Sequence, residues 1–154
     1  MRVYQAHPFS LLEKSLHFMR WAALNCKKML YAIKTNEHSF VRLDLIADKL
    51  LQQQSLPRTA MVWGRMMKSQ PAKLTDQENH HGLSRWPDYP SGSGFVCSKD
   101  VASFLGKTNV KALPAYEFED RGVGLILEGK AHLEVTPKFV NLNLLNGREE
   151  FRPV

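Results

Sequence analysis

The chain has 154 residues, of which 44% are hydrophobic and 23% charged, enough for one domain with a core and unlike a disordered or fibrous polymer. Its net charge of +6 comes from scattered basic residues, with Lys27-Lys28 the only adjacent pair, so no nucleic-acid stripe or module is expected. No apolar run reaches membrane-span length, residues 1–8 carry no signal-peptide apolar region, and the two cysteines, Cys26 and Cys97, read as buried thiols rather than a disulfide framework.

Ser10 and Glu13 form a capping box, and Leu12, Leu16, Met19, Ala23 and Cys26 then recur at helical spacing, which predicts a helix over 11–26. The apolar run Met29 to Ile33, bounded by lysines, suits a buried strand. Leu43, Ile46, Ala47, Leu50 and Leu51 form a second amphipathic stripe, with Pro57 beyond its end. Residues 60–66 read as a strand with Gly64 at a bulge. Residues 68–84 are polar and read as a loop. Their His80-His81 pair has no Cys-x-x-Cys to complete a zinc site. Ser91, Gly92, Ser93 and Gly94 predict a tight turn, open to close approach by a ligand because glycine has no Cβ. Phe95 to Cys97 is extended, and Ser98 caps a helix that Gly106 ends. A helix is expected over 121–128 and closed by Gly129, with Glu119 and Asp120 at the junction before it. Residues 132–136 and 139–144 alternate as strands do, and the tail after them is expected to fray. Strands alternating with helices give an α/β fold.

Three segments carry chemistry. Trp86-Pro-Asp-Tyr-Pro-Ser-Gly-Ser-Gly-Phe-Val-Cys-Ser98 sets aromatics beside a glycine-rich stretch. Glu119-Asp-Arg-Gly-Val-Gly124 places paired carboxylates at a helix start. Lys34-Thr-Asn-Glu-His-Ser-Phe-Val41 follows the first strand. In this order the segments resemble the β-1,3-glycosyltransferases of glycosyltransferase family 31. The family pattern Tyr-Pro-x-Tyr-x-Ser-Gly-Gly-Gly-Tyr-Val-x-Ser matches the first, with Trp86, Ser93 and Phe95 as departures. Glu-Asp-Val-x-x-Gly matches the second, with Arg121 in place of the apolar residue. Lys-Thr-Asp-Asp-Asp-x-Phe-Val matches the third, and Lys14 to Trp21 resembles the family helix before it. The resemblance runs from about Ser10 to about Leu127.

The resemblance implies the acceptor-side half of a GT-A type glycosyltransferase domain. Its function would be inverting transfer of galactose or N-acetylglucosamine from a UDP-sugar to a glycan acceptor, in protein glycosylation. The family's nucleotide-binding half and membrane anchor would precede this stretch. A surface left bare by that half implies self-association or a partner chain. A Golgi membrane or lumen would be the family's location, while the chain itself carries no signal or anchor, as a fragment or a cytosolic product would not. Asp120 takes the position of the catalytic base and Glu119 would orient the acceptor. Arg121 would pair with Asp120 and lower its pKa. Trp86, Tyr89, Ser91, Gly92, Ser93, Gly94 and Lys34 would bind substrate; Trp86, Tyr89 and Phe95 either offer faces to a sugar or uracil or belong to the core. The family triplet whose last Asp binds Mn²⁺ is here Asn36-Glu37-His38, two formal negative charges fewer, which implies weak or lost Mn²⁺ binding. The alternative is a catalytically inactive member that serves as a binding or assembly module.

Overall fold

Leu12, Leu16, Met19 and Ala22 share one side of the first helix, and all four are buried. That stripe is why the segment folds as helix α1, Phe9–Asn25. The helix begins one residue before Ser10, so Ser10 lies inside it rather than capping it. The computed structural model describes residues 9–52, 58–68, 70–72, 83–109, 118–129, 138–141 and 151–153. The elements that follow are β1 Tyr31–Thr35, β2 Ser39–Val41, α2 Leu43–Gln52, β3 Met61–Met67, β4 Tyr89–Ser98, α3 Lys99–Lys107, α4 Glu119–Glu128, β5 Lys138–Asn141 and β6 Phe151–Pro153.

Four strands form a mixed sheet in the order β1-β4-β3-β5. Strand β4 is antiparallel to β1, with Ala32 opposite Cys97 and Lys34 opposite Phe95, and antiparallel to β3. Strand β5 joins β3 in parallel. The register of β3 shifts between Gly64 and Met66, where a bulge was expected. Strands β2 and β6 form a separate two-stranded sheet, so the tail holds a strand where fraying was expected.

The sheet is buried on both faces. Phe95, Cys97, Ala32, Val62 and Met66 pack with Leu12, Leu16, Val101, Leu105, Val123 and Ile126 from α1, α3 and α4. On the other face Val96, Trp63 and Met61 pack with Ile46 of α2. This two-sided burial explains the near-continuous apolar run Phe95 to Cys97. Side chains alternate along a strand, so Lys34 follows Ala32 onto the face of α1 and α4.

Several local expectations change. Ser91 to Gly94 is strand, not a turn, because β1 and β3 pair with β4 on both sides. Ser98 stands at the N-cap of α3 without a capping bond, since its hydroxyl accepts from the Met61 N–H at 3.0 Å. Helix α3 runs past Gly106 to Lys107, and α4 begins at Glu119. Cys97 is buried, its thiol pushed up to about 12 by desolvation, but Cys26 is only half-buried. The predicted strand over 132–136, the His80-His81 pair and most of the 68–84 loop lie outside the described residues.

Candidate functional site

Helix α4 lies hard against β4 because Gly124 has no side chain: a Cβ there would stand 2.6 Å from the Cβ of Tyr89. That approach brings the first turn of α4 over the middle of β4. Asp120 Oδ2 accepts the Gly92 N–H at 3.2 Å, and Oδ1 accepts the Arg121 N–H at 2.9 Å. The Gly92 carbonyl in turn accepts Asn36 Nδ2 at 2.9 Å. One residue of β4 thus ties the loop after β1 to the carboxylate of α4.

Lys34 reaches Glu119 across the same floor, Nζ to Oε2 at 2.5 Å, with side chains only 13% and 9% exposed. Glu119 Oε1 is buried with no hydrogen-bond partner among the described residues. These groups open into a cleft of about 760 Å³. Lys34, Asn36, Glu37, His38, Gly92, Glu119 and Asp120 all line it, so three segments far apart in the sequence meet there. Burial pushes the Asp120 carboxyl up, against the pull of the two N–H donors and of the Arg121 and Lys34 charges. The net direction is opposite to the lowering expected from Arg121. The Arg121 guanidinium lies over the rings of Trp86 and Phe118, at 4.9 and 4.7 Å from their centroids.

The aromatic and serine expectations fall elsewhere. Trp86, Tyr89 and Phe95 are core residues and do not line the cleft. They are buried because the strand extends back to Tyr89 and α4 covers it. Ser91 and Ser93 alternate with Gly92 along β4, their hydroxyls 3.2 Å apart, and neither they nor Gly94 line the cleft. Conversely, Leu11, Lys14, Ser15 and Phe18 of α1, with Phe118, form a wall that the sequence reading missed. The signal was present: Leu11, Lys14 and Phe18 recur at i, i+3 and i+7, beside the core stripe.

A metal fits this set poorly. Asn36 Oδ1 already accepts the His38 N–H at 3.0 Å and the Ser39 hydroxyl at 2.7 Å. His38 and Glu37 are exposed and lie 3.6 Å from each other. Among the described residues no three His, Cys, Asp or Glu side chains converge as an ion requires. The donors present do not fit Mn²⁺.

A family model described as Galactosyltransferase matches residues 7–137. The chain belongs to this family. Mouse and human beta-1,3-galactosyltransferase 1 are each 33% identical to it over 123 residues, 77% of this chain and 37% of the relative. Human beta-1,3-galactosyltransferase 2 is 29% identical over 135 residues, 84% of this chain and 31% of the relative. A zebrafish UDP-GalNAc:beta-1,3-N-acetylgalactosaminyltransferase 2 is 29% identical over 114 residues, 73% of this chain and 23% of the relative. The chain therefore spans about a third of the length of these galactosyltransferase relatives. Among the described residues no helix is long and apolar enough to cross a membrane.

Proposed function

We propose that the chain serves hexosyl transfer: galactose or N-acetylglucosamine moves from a UDP-sugar to a hydroxyl of a glycan acceptor, with inversion, in protein glycosylation at the Golgi. The observation that carries this reading is the Asp120 carboxylate, held at the cleft by the Gly92 N–H and raised in pKa by burial. A general base works best when its pKa lies nearer the working pH than a free carboxylate's does. Asp120 would take the proton of the attacking hydroxyl as its oxygen bonds to the anomeric carbon and the diphosphate departs. Glu119, locked by Lys34, would fix the helix turn that holds Asp120.

One observation favours a second reading, that of a binding or assembly module without activity. Asn36 is fully engaged in holding the loop to β4, and the surrounding donors do not suit a divalent ion. Titration of UDP by calorimetry, with and without Mn²⁺, separates the two when run beside a transfer assay with UDP-galactose and UDP-N-acetylglucosamine. Transfer lost in Asp120→Asn supports the enzyme. Glycan binding with neither UDP binding nor transfer supports the module.

A further inference from the structure

Two unlike sets of side chains line the cleft. One is polar: Lys34, Asn36, Glu119 and Asp120. The other is two phenyl rings from different elements, Phe18 of α1 and Phe118 just before α4. Phe18 is 45% exposed and Phe118 47%, so neither ring is spent on the core. Each is nonetheless held from outside the cleft. Trp21 stacks on Phe18 with ring centroids 6.5 Å apart and planes 28° from parallel. The Arg121 guanidinium covers Phe118 and is itself seated on buried Trp86. Backing of this kind orders a ring before any ligand arrives, so binding loses less side-chain entropy.

Half-exposed, backed rings in the same cleft as carboxylates suit a molecule with one apolar face and a hydroxyl rim. A pyranose is such a molecule: its C–H face packs on an aromatic ring by dispersion and by the ring quadrupole, while its hydroxyls seek carboxylates and amides. The charges agree. Two lysines and three carboxylates line the cleft, a near balance that selects for a neutral ligand over a polyanion. A volume of about 760 Å³ is in the range of sites that enclose ligands larger than one sugar.

We propose that Phe18 and Phe118 form the stacking wall for the acceptor, a neutral hexopyranoside, and turn its hydroxyl edge toward Asp120. This rests on the transferase reading and names its acceptor subsite. It moves the sugar-stacking role from Trp86, Tyr89 and Phe95 to Phe18 and Phe118.

The test uses the full chain, with methyl β-D-galactopyranoside as probe and the acyclic polyol sorbitol as control. Of three tryptophans, Trp63 and Trp86 are buried and Trp21 is 57% exposed. Quenching by iodide therefore reads Trp21, which touches the wall through Phe18. A glycoside packed on Phe18 should change the iodide-quenchable emission of Trp21 saturably at millimolar concentration, and sorbitol should not. Saturation-transfer NMR should show the protons of one C–H face of the sugar receiving most magnetisation. In that second measurement Phe18→Ser and Phe118→Ser should each weaken binding about tenfold. Leu24→Ser, an exposed apolar position of α1 outside the cleft, should leave it unchanged. No saturable effect, an equal effect of sorbitol, or an equal loss in Leu24→Ser overturns the wall. The binding test needs no donor, so glycoside binding with no transfer in a separate assay supplied with UDP-galactose and UDP-N-acetylglucosamine leaves the wall standing and removes the transferase. Transfer whose acceptor KM is within twofold in both Phe variants removes the wall and leaves the transferase.

Discussion

Removing Lys34 should cost far more stability than a surface ion pair would. The Lys34–Glu119 contact is 2.5 Å long and both side chains are about nine-tenths buried. Lys34→Met keeps the aliphatic stem and deletes the charge, leaving the Glu119 carboxylate buried with both oxygens short of donors. Breaking a buried pair from one side costs about 3–5 kcal/mol, against about 0–1 kcal/mol for an exposed pair. A domain of this size has about 5–15 kcal/mol in total, so a large share would go. Urea unfolding followed by far-UV circular dichroism should show the midpoint falling by about 1–3 M with an unchanged slope. Lys34→Met combined with Glu119→Leu removes both charges and should recover most of the loss. A single variant within about 1 kcal/mol of the parent, or a double variant as weak as the single, refutes the reasoning.

Asp120→Asn should reduce transfer by about 10²–10⁴-fold in an assay with UDP-galactose and a glycan acceptor. The same change should raise stability at neutral pH relative to pH 3. Burial lifts the folded pKa of Asp120 above 3.8, so the folded state binds the proton more tightly, and stability falls as pH rises through that window. Chemical melts at the two pH values check this, and an equal difference at both would refute it. Gly92→Ala should be tolerated, since its Cβ would meet Asp120 Oδ2 at an ordinary 3.5 Å, whereas Gly92→Val should crowd the carboxylate and weaken sugar binding at least several-fold by NMR titration. Asn36→Asp with His38→Asp should raise Mn²⁺ affinity by calorimetry. It should also lower stability by about 1–3 kcal/mol, because the bond to the Gly92 carbonyl is lost. Sedimentation at rising concentration should show association through Leu24, Leu30, Leu43 and Leu51, all exposed, and a monomer throughout would refute that.

The three chemical segments were legible because they resemble family motifs in family order, and the fold brings a strand, its following loop and a helix start to one cleft. What stayed hidden depends on packing. Ser91 to Gly94 has the composition of a turn, yet its small residues serve a strand paired on both sides and pressed by α4. Trp86 and Tyr89 flank prolines as a surface loop would, but α4 and Arg121 cover them, a tertiary contact with no local sign. The sign of the Asp120 shift was missed for a related reason. Adjacent Arg121 is visible in the sequence, while the burial that outweighs it is made by distant residues. Helix boundaries moved by one or two residues, as capping signals without tertiary context allow.

Strand β1 carries Lys34 and leads into the Asn36 loop, and in the four-stranded sheet it stands at the edge. Among the described residues it is paired on one side only. Half the floor of the cleft therefore hangs from a single ladder of hydrogen bonds, and its opening need not wait for the core to melt. Backbone amides of β1 should exchange with deuterium well before those of β4, which is held by neighbours on both sides. A ligand that bridges the Asn36 loop and the first turn of α4 would close that opening and slow exchange in β1 in proportion to its occupancy. The timing of amide exchange in five residues thus becomes a direct gauge of ligand binding at the cleft, readable before any product is known.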